Sequence, residues 1–159
     1  MSRTFRRLTD EPADIALGTL LVREYVVATA EEVGQDIDVI LTLIPELHDF
    51  AGHYLRGGAF LVAENGDEVE GAVGITPGTD GICDMNRLWI RPGHRRGGAG
   101  RALCEAAMQA ARDLGFRRMH LDVVPERTAA IAMYRSLAFT ETPPTHDYPF
   151  TMVSLGRDF

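Results

Sequence analysis

The stretch from 84 to 115 constrains the fold of this chain most, because it joins a strand, a basic glycine-rich loop and a helix. Alternating residues up to Ile90 predict a strand, and apolar residues at helical spacing after Gly100 predict a helix that ends at Gly115. Alternation over 119–123 predicts the next strand. The three elements form a βαβ unit with a right-handed crossover, which indicates an α/β fold.

The loop has the residue types of an anion site. The first turn of a helix presents unpaired backbone N–H groups and partial positive charge. Glycine keeps side chains away from those donors, and arginine adds full positive charge. We therefore expect a diphosphate to bind here. The candidate residues are Arg95, Arg96, Gly97, Gly98, Ala99, Gly100 and Arg101.

Three nucleotide-binding loops are compatible with glycine-rich sequence at a helix start. A Walker A loop requires a lysine, and this chain contains none. A Rossmann loop is a weaker rival, since Gly98 and Gly100 open a helix and Asp122 follows 22 residues after Gly100. Its third glycine would fall at Leu103, and seven residues separate the strand from Gly98.

The third pattern, R-x-x-G-x-G, is formed by Arg95, Gly98 and Gly100 after an apolar strand. In this setting it resembles the acyl-CoA loop of the GNAT superfamily of N-acetyltransferases. The superfamily also has a segment N-x-x-A-x-x-x-Y-x-x-x-G-F after the second parallel strand. At its five fixed positions this chain has Arg127, Ala130, Tyr134, Ala138 and Phe139.

Two of these five positions depart from the superfamily pattern. Arg127 replaces an asparagine that in relatives often contacts the coenzyme, and an arginine there could contact a phosphate. Ala138 replaces the glycine that ends the helix, which predicts a different helix end. The resemblance covers about residues 83–139 well, and before that it is one of element order.

The predicted elements give an α/β fold with a mixed sheet in the order β-α-α-β-β-β-α-β-α-β-β, as one domain over 1–159. The resemblance implies that the two central parallel strands splay apart. One helix should begin near Pro12, bury Leu17, Leu20, Leu21, Tyr25 and Ala28, and end before Gly34. The other expected elements are strands at 5–8, 59–64, 68–75, 83–90, 140–142 and 150–155, two short helices in 36–54 divided at Pro45, and a helix at 129–137 capped by Thr128.

The resemblance also implies a mechanism. The pantetheine arm of the coenzyme would pair with the backbone of Leu88, Trp89 and Ile90 beside a β-bulge. Tyr134 would protonate the leaving thiolate, although its spacing alone is that of a packed helix aromatic. Relatives often use a glutamate base at positions that are Asp84 and Asn86 here. Of these two residues only Asp84 can accept a proton, and as a shorter acid it would act through water; a purely structural role for Asp84 in the strand fits the sequence equally well. His120 and Asp122 on the neighbouring strand are further alternatives.

Charge and composition exclude several classes of function. The net charge is −7, with 15 acidic residues and 5 arginines over 1–80. We therefore expect no nucleic-acid binding. The resemblance implies that the acidic helical region lines the acceptor site, where its acids would favour a cationic amine; a solvated surface is the commoner reason for such charge. Cys83 and Cys104 are predicted to be buried thiols, while His48 and His53 lack a third ligand, so no metal is expected. No signal or membrane-spanning run appears, so we expect a cytoplasmic protein without membrane contact. We expect it to be a monomer or a homodimer.

The preferred hypothesis is an acyl-CoA-dependent N-acyltransferase that uses acetyl-CoA, with a small-molecule or peptide primary amine as acceptor. Two alternatives belong to other classes. A non-catalytic acyl-CoA-binding or regulatory module is compatible with Asn86, Arg127 and Ala138, and turnover with any amine would exclude it. A dinucleotide-dependent oxidoreductase predicts stabilisation by NAD(P) and no response to CoA.

Overall fold

The centre of the protein is a seven-stranded sheet, seen in a computed structural model that describes residues 2–159. The strands are β1 (Thr4–Arg7), β2 (Ala59–Asn65), β3 (Glu68–Pro77), β4 (Ile82–Ile90), β5 (Arg118–Val123), β6 (Thr140–Glu141) and β7 (Val153–Asp158). Their order across the sheet is β1-β2-β3-β4-β5-β7-β6. Neighbouring strands run antiparallel except for β4 and β5. The predicted mixed α/β sheet is therefore confirmed.

The described residues also form five α-helices. They are α1 (Pro12–Val33), α2 (Ile37–Thr42), α3 (Phe50–Tyr54), α4 (Ala99–Asp113) and α5 (Thr128–Ser136). The segment predicted as two short helices also contains a 3₁₀ turn, Pro45–Leu47, because a proline starts a helical turn readily but cannot continue one. Within residues 2–159, no helix is both long and apolar enough to cross a membrane.

The buried face of α1 differs from the predicted one. Leu20 is 46% exposed, and the residues that are buried are Gly18, Leu21, Val22, Val26 and Ala30. The cause is a close contact at Gly18, where a Cβ atom would lie 2.1 Å from the Phe50 ring. This contact turns the Gly18 face of α1 toward α3, and no local pattern in the helix encodes it.

The parallel strands β4 and β5 separate soon after they meet. They pair at Ile82↔Arg118, Cys83↔Met119 and Asp84↔His120, and the described residues beyond Asp84 do not pair across this edge. On the other side of β4, Ala72 lies opposite Trp89 and Gly74 opposite Asn86, so β4 contains one extra residue. Arg87 in this bulge has φ 53. The predicted splay and the predicted bulge are both present.

Two hydrophobic clusters lie on opposite faces of the sheet. The α4 and α5 side contains Leu103, Met119 and Phe139, and Leu88 and Ile90 pack against it. The α1 and α3 side contains Phe60 and Tyr54, and Trp89 packs against it. Successive residues of β4 therefore face different helices, which decides the surroundings of each site residue.

Two predicted element ends are wrong. Thr128 is the first residue of α5 and does not cap it; the N-cap position is Arg127, without a side-chain cap bond. The last strand begins at Val153, because Val153 is the residue that pairs with the end of β5 at Val123. Phe150 therefore has no strand partner in the described sheet and is 59% exposed.

The end of α5 gives a stability prediction. Ala138 follows the helix with φ 68, a left-handed conformation in which Cβ is strained. Ala138→Gly should therefore raise the free energy of unfolding by about 1 kcal/mol. Ala132→Gly, at an exposed position within α5, should lower it by about 1 kcal/mol. Urea denaturation measures both, and a loss of stability in both variants would contradict the prediction.

Candidate active site

The glycine-rich loop lies between β4 and the start of α4. Gly98 is the N-cap of α4 with φ 77, and Arg96 has φ 70. The backbone N–H groups of Gly98 to Arg101 have no hydrogen-bond partner among residues 2–159. A Cβ atom at Gly100 would meet only Ile90 Cγ1, at 3.7 Å. The loop therefore presents unpaired backbone donors and an open approach to them.

The loop arginines have different surroundings. Arg95 donates from Nε to the Ile90 carbonyl oxygen at 3.0 Å, and its guanidinium lies 5.1 Å from the centre of the Trp89 ring. Arg101 donates to Ser136 Oγ at 2.7 Å. Arg96 is exposed and has no side-chain partner in the described chain. Of the three loop arginines, Arg96 is therefore the most available to a ligand.

A carboxylate on α1 fixes the base of the loop. Glu24 accepts hydrogen bonds from Arg91 Nη2 at 2.8 Å and from Trp89 Nε1 at 3.1 Å. Burial would raise the pKa of Glu24, but the hydrogen bonds from Arg91 and Trp89 outweigh it and lower this pKa. The indole of Trp89 thus faces α1, and only its backbone lies at the edge where β4 leaves β5.

A cavity of about 500 Å³ occupies the space where β4 and β5 separate. Its walls come from the end of α1, from β4 and β5, from α5 and from the segment 146–152. The two predicted catalytic residues, Asp84 and Tyr134, both line it, as does Arg127. The fold therefore brings together three residues that lie on different elements.

Tyr134 has the surroundings of a buried proton donor. It is 6% exposed, and its ring packs edge-on against Phe139 with the ring centres 5.9 Å apart. Its hydroxyl group has no hydrogen-bond partner among residues 2–159. Burial raises the pKa of Tyr134 above the ordinary phenol value, so the hydroxyl keeps its proton at neutral pH.

Asp84 belongs to a cluster of acids and imidazoles. Its Oδ1 lies 3.0 Å from His120 Nδ1, and its Oδ2 lies 3.5 Å from His146 Nε2. His120 Nε2 is buried without a partner in the described chain, 3.6 Å from Asp122 Oδ1. Asp122 accepts a hydrogen bond from the Tyr148 hydroxyl at 2.8 Å. The sequence did not place His146 and Tyr148 here, because their loop carries no regular pattern.

Asn86 occupies a structural position. Its Nδ2 donates to Thr76 Oγ1 at 3.0 Å, and its Oδ1 lies 2.9 Å from the Tyr54 hydroxyl oxygen. The same hydroxyl lies 2.8 Å from Oε2 of Glu46, a carboxylate that is 1% exposed. Burial would raise the pKa of Glu46, but the Arg87 guanidinium outweighs burial and lowers it. Glu46 is thus a buried anion that the sequence analysis missed.

Arg127 lies against α1. Its Nη2 is 3.0 Å from Glu32 Oε2 and 3.3 Å from Thr29 Oγ1, and its guanidinium lies 5.8 Å from the centre of the Tyr25 ring. These contacts close the cavity between α1 and α5. Contact of Arg127 with a phosphate remains a prediction, and reaching one would require it to leave these partners.

Neither cysteine has the surroundings of a nucleophile. Cys83 and Cys104 are both buried, and burial raises the pKa of each thiol to about 12. Both are therefore protonated at neutral pH. Across residues 2–159 there is no group of three histidine, cysteine or acidic side chains that could hold a metal ion.

Known proteins resemble this chain over most of its length. The family model described as Acetyltransferase (GNAT) family matches residues 17–139. Human N-acetyltransferase 8 is 35% identical over 111 residues, which is 65% of this chain and 49% of the human protein. This chain therefore spans about half the length of that relative. The N-acetyltransferase YjgM of Escherichia coli strain K12, itself uncharacterised, is 32% identical over 87% of this chain and 82% of its own length.

A solved structure shares the fold at low sequence identity. The protein yncA of Salmonella typhimurium, whose structure contains acetyl-CoA as its cofactor, has a TM-score of 0.65 and 22% identity. The match covers 99% of this chain and 94% of that one. The likeness therefore extends over the whole of the sheet described above.

Proposed function

This chain belongs to the GNAT acetyltransferase family, and from that premise we propose that it transfers an acetyl group from acetyl-CoA directly to a cationic primary amine. The observation that carries the proposal is the cavity between β4 and β5, where a neutral phenol and a carboxylate line the same space. A phenol can supply a proton to a leaving thiolate, and a carboxylate can accept one from an ammonium group.

The coenzyme would bind from the loop into the gap between the strands. Its diphosphate would accept hydrogen bonds from the backbone of Gly98 to Arg101, with Arg95 and Arg96 beside it. The pantetheine arm would pair with the backbone of 88–90, as an additional strand would. Acetyl-CoA is the proposed donor because yncA contains it. The thioester would then lie near Tyr134.

The chemistry requires three proton movements. An ammonium group with a pKa near ~10.4 must lose a proton before its lone pair can attack, which costs about 4 to 5 kcal/mol at neutral pH. Asp84 would accept this proton, directly or through one water molecule. The amine nitrogen then bonds to the thioester carbon, the carbon–sulfur bond breaks, and Tyr134 donates its proton to the leaving sulfur. The nitrogen loses its second proton as the amide forms, and this proton returns to the Tyr134 oxygen. Direct transfer makes an acyl-enzyme intermediate unnecessary. It would also be unfavourable, because both cysteine thiols are buried and protonated.

An acceptor screen tests the proposal. Amines, polyamines, amino-containing antibiotics and peptides would be incubated with acetyl-CoA, and CoA thiol release would be measured. We expect release that depends on both the protein and one amine class. If the protein binds CoA but releases no thiol with any amine, the non-catalytic module becomes the better hypothesis. Stabilisation by NAD(P) alone would indicate the oxidoreductase.

The loop arginines give a binding prediction. Arg95→Ala together with Arg96→Ala should weaken acetyl-CoA binding by about 10-fold or more, since each charge-assisted contact contributes on the order of 1.5 to 3 kcal/mol. Folding should change little because both side chains are exposed. Isothermal titration calorimetry measures the affinity. Arg112→Ala with Arg117→Ala removes the same charge away from the loop and is the control. Equal affinity in both double variants would place the diphosphate elsewhere.

A further inference from the structure

Arg87 holds an unusual position in the wall of the cavity. It is the non-glycine residue with φ 53 in the bulge of β4, and its side chain is 27% exposed. A left-handed conformation at such a residue is strained and persists only when its surroundings require it. The bulge turns this side chain toward the α1 side of the cavity that lies where β4 and β5 separate.

Most hydrogen-bond donors of Arg87 are unused. A guanidinium group has five N–H donors, and Arg87 uses one, from Nε to Glu46 Oε2 at 2.9 Å. Its two terminal nitrogens form no hydrogen bond of ordinary geometry within the described residues, although the guanidinium lies beside the Tyr54 hydroxyl group. The guanidinium carbon lies 5.5 Å from the centre of the Tyr25 ring. If the ion pair with Glu46 served only to fix the bulge, the Nε contact would be sufficient. The two terminal nitrogens, which form the open edge of the guanidinium, would then have no role.

The open edge is on the α1 side of the sheet. Arg87 contacts Glu46 and Tyr25, which belong to the elements on the α1 face. By contrast, Leu88 packs with the cluster on the opposite face, where α4 begins. Along the strand, Arg87 is three residues before Ile90, or roughly 10 Å. The diphosphate proposed for the loop therefore lies too far away to use this edge.

The wall of the cavity contains both acidic and basic side chains. Asp84 and Asp122 line it without an arginine contact among residues 2–159, and Arg87 lines the same space. Arg127 also lines it but is paired with Glu32. A ligand with a positive and a negative group would complement both. We propose that the acceptor amine also carries a carboxylate, which binds bidentately to the terminal nitrogens of Arg87 while the ammonium group approaches Asp84. This inference rests on the proposed acetyl transfer and names the class of acceptor. A carboxylate suits the site better than a dianionic phosphate, because Glu46 already offsets part of the charge of Arg87.

Matched acceptors test the inference. Leucine, phenylalanine, β-alanine and the dipeptide Gly-Phe would each be compared with the corresponding C-terminal amide, using acetyl-CoA and thiol release. The free acids should react with kcat/KM about 10-fold or more above the amides. The amides lose their amine proton more readily than the acids, so the chemical bias opposes the expected result. The acceptor spacing that works best also measures the distance between the two charge sites.

A variant links the preference to Arg87. Arg87→Lys keeps a positive charge next to Glu46 but removes the two-nitrogen edge, so the acid-to-amide ratio should fall at least about 5-fold. The KM for acetyl-CoA should not change. Arg118→Lys is a matched control, because Arg118 has a similar side-chain exposure, 23%, and also pairs with a carboxylate. The ratio compares two acceptors on one protein, so partial misfolding cancels.

Three results would overturn the inference. One is an equal or higher kcat/KM for the amides with the wild-type protein, which would leave acetyl transfer to amines standing. Another is an unchanged acid-to-amide ratio in Arg87→Lys. The third is the absence of transfer to every carboxylate-bearing amine; the broader amine screen then decides separately whether the chain is an acetyltransferase.

Discussion

Gly100→Val is expected to weaken acetyl-CoA binding by about 100-fold or more, because the branched side chain would occupy the space through which the diphosphate reaches the backbone donors of α4. Loss of two charge-assisted hydrogen bonds accounts for this magnitude. The fold should survive, since a Cβ atom at this position meets only Ile90 Cγ1 at the ordinary contact distance of 3.7 Å. Isothermal titration calorimetry and a thermal melt measure the two effects.

Gly100 is a sharper test than Gly98. Gly98 has φ 77, so a valine there would add backbone strain to any obstruction of the coenzyme. Ala102→Val is the matched control, because Ala102 lies one turn into the same helix but lines a groove beside Phe5. It should bind acetyl-CoA as the wild type does. Normal binding by Gly100→Val would show that the coenzyme does not approach this helix end.

Tyr134→Phe should lower kcat by about 100-fold while the affinity for acetyl-CoA stays near that of the wild type. The change removes one oxygen from a proposed proton donor and keeps the ring that packs against Phe139. The loss lies at the low end of the range for acid–base groups, because a thiolate with a pKa near ~8.5 leaves fairly well unassisted. The measurement requires an acceptor from the screen and kcat over a range of pH.

Stability and pH separate this role from a packing role. The Tyr134 hydroxyl has no partner in the described chain, so its removal should leave the melting temperature unchanged. Tyr54→Phe removes a buried hydroxyl beside Glu46 and should destabilise the fold by about 1 to 3 kcal/mol. Since burial raises the pKa of Tyr134, wild-type kcat should not fall as pH rises toward ~10. Wild-type turnover in Tyr134→Phe would leave thiolate protonation to water.

The parts of the fold that the sequence predicts are those with local causes. The strand, loop and helix around Gly98 follow from alternation, glycine and helical spacing. The turn between β2 and β3 follows from Asn65-Gly66 in the same way. The orientation of α1 does not, because it depends on Gly18 meeting Phe50, 32 residues away in the chain. Close packing between distant elements produces no periodic pattern in the sequence.

The residues of the candidate site also differ in whether a local sequence pattern identifies them. Asp84 and Tyr134 could be named because each lies next to a recognisable motif. Glu46 and Arg87 are 41 residues apart, and Tyr148 and Asp122 are 26 apart. Each pair consists of ordinary surface-type residues whose burial depends on the assembled sheet. Arg87 lies outside the loop that the sequence identified as an anion site, although its open donors now define a proposed specificity determinant.

Three residue pairs join β4 to β5, so the hydrogen-bond ladder divides the sheet into a four-stranded part, β1–β4, and a three-stranded part formed by β5, β7 and β6. The hydrophobic core under α4 also joins the two parts, since Leu61 and Met85 belong to the same buried cluster as Met119 and Leu155. The short hydrogen-bond ladder nevertheless makes this edge the place where we expect the sheet to open locally. A coenzyme bound in the gap would contact both parts and favour the closed arrangement. Amide hydrogen exchange at the facing ends of β4 and β5 would then slow together, because the coenzyme would bridge the strands where they do not pair.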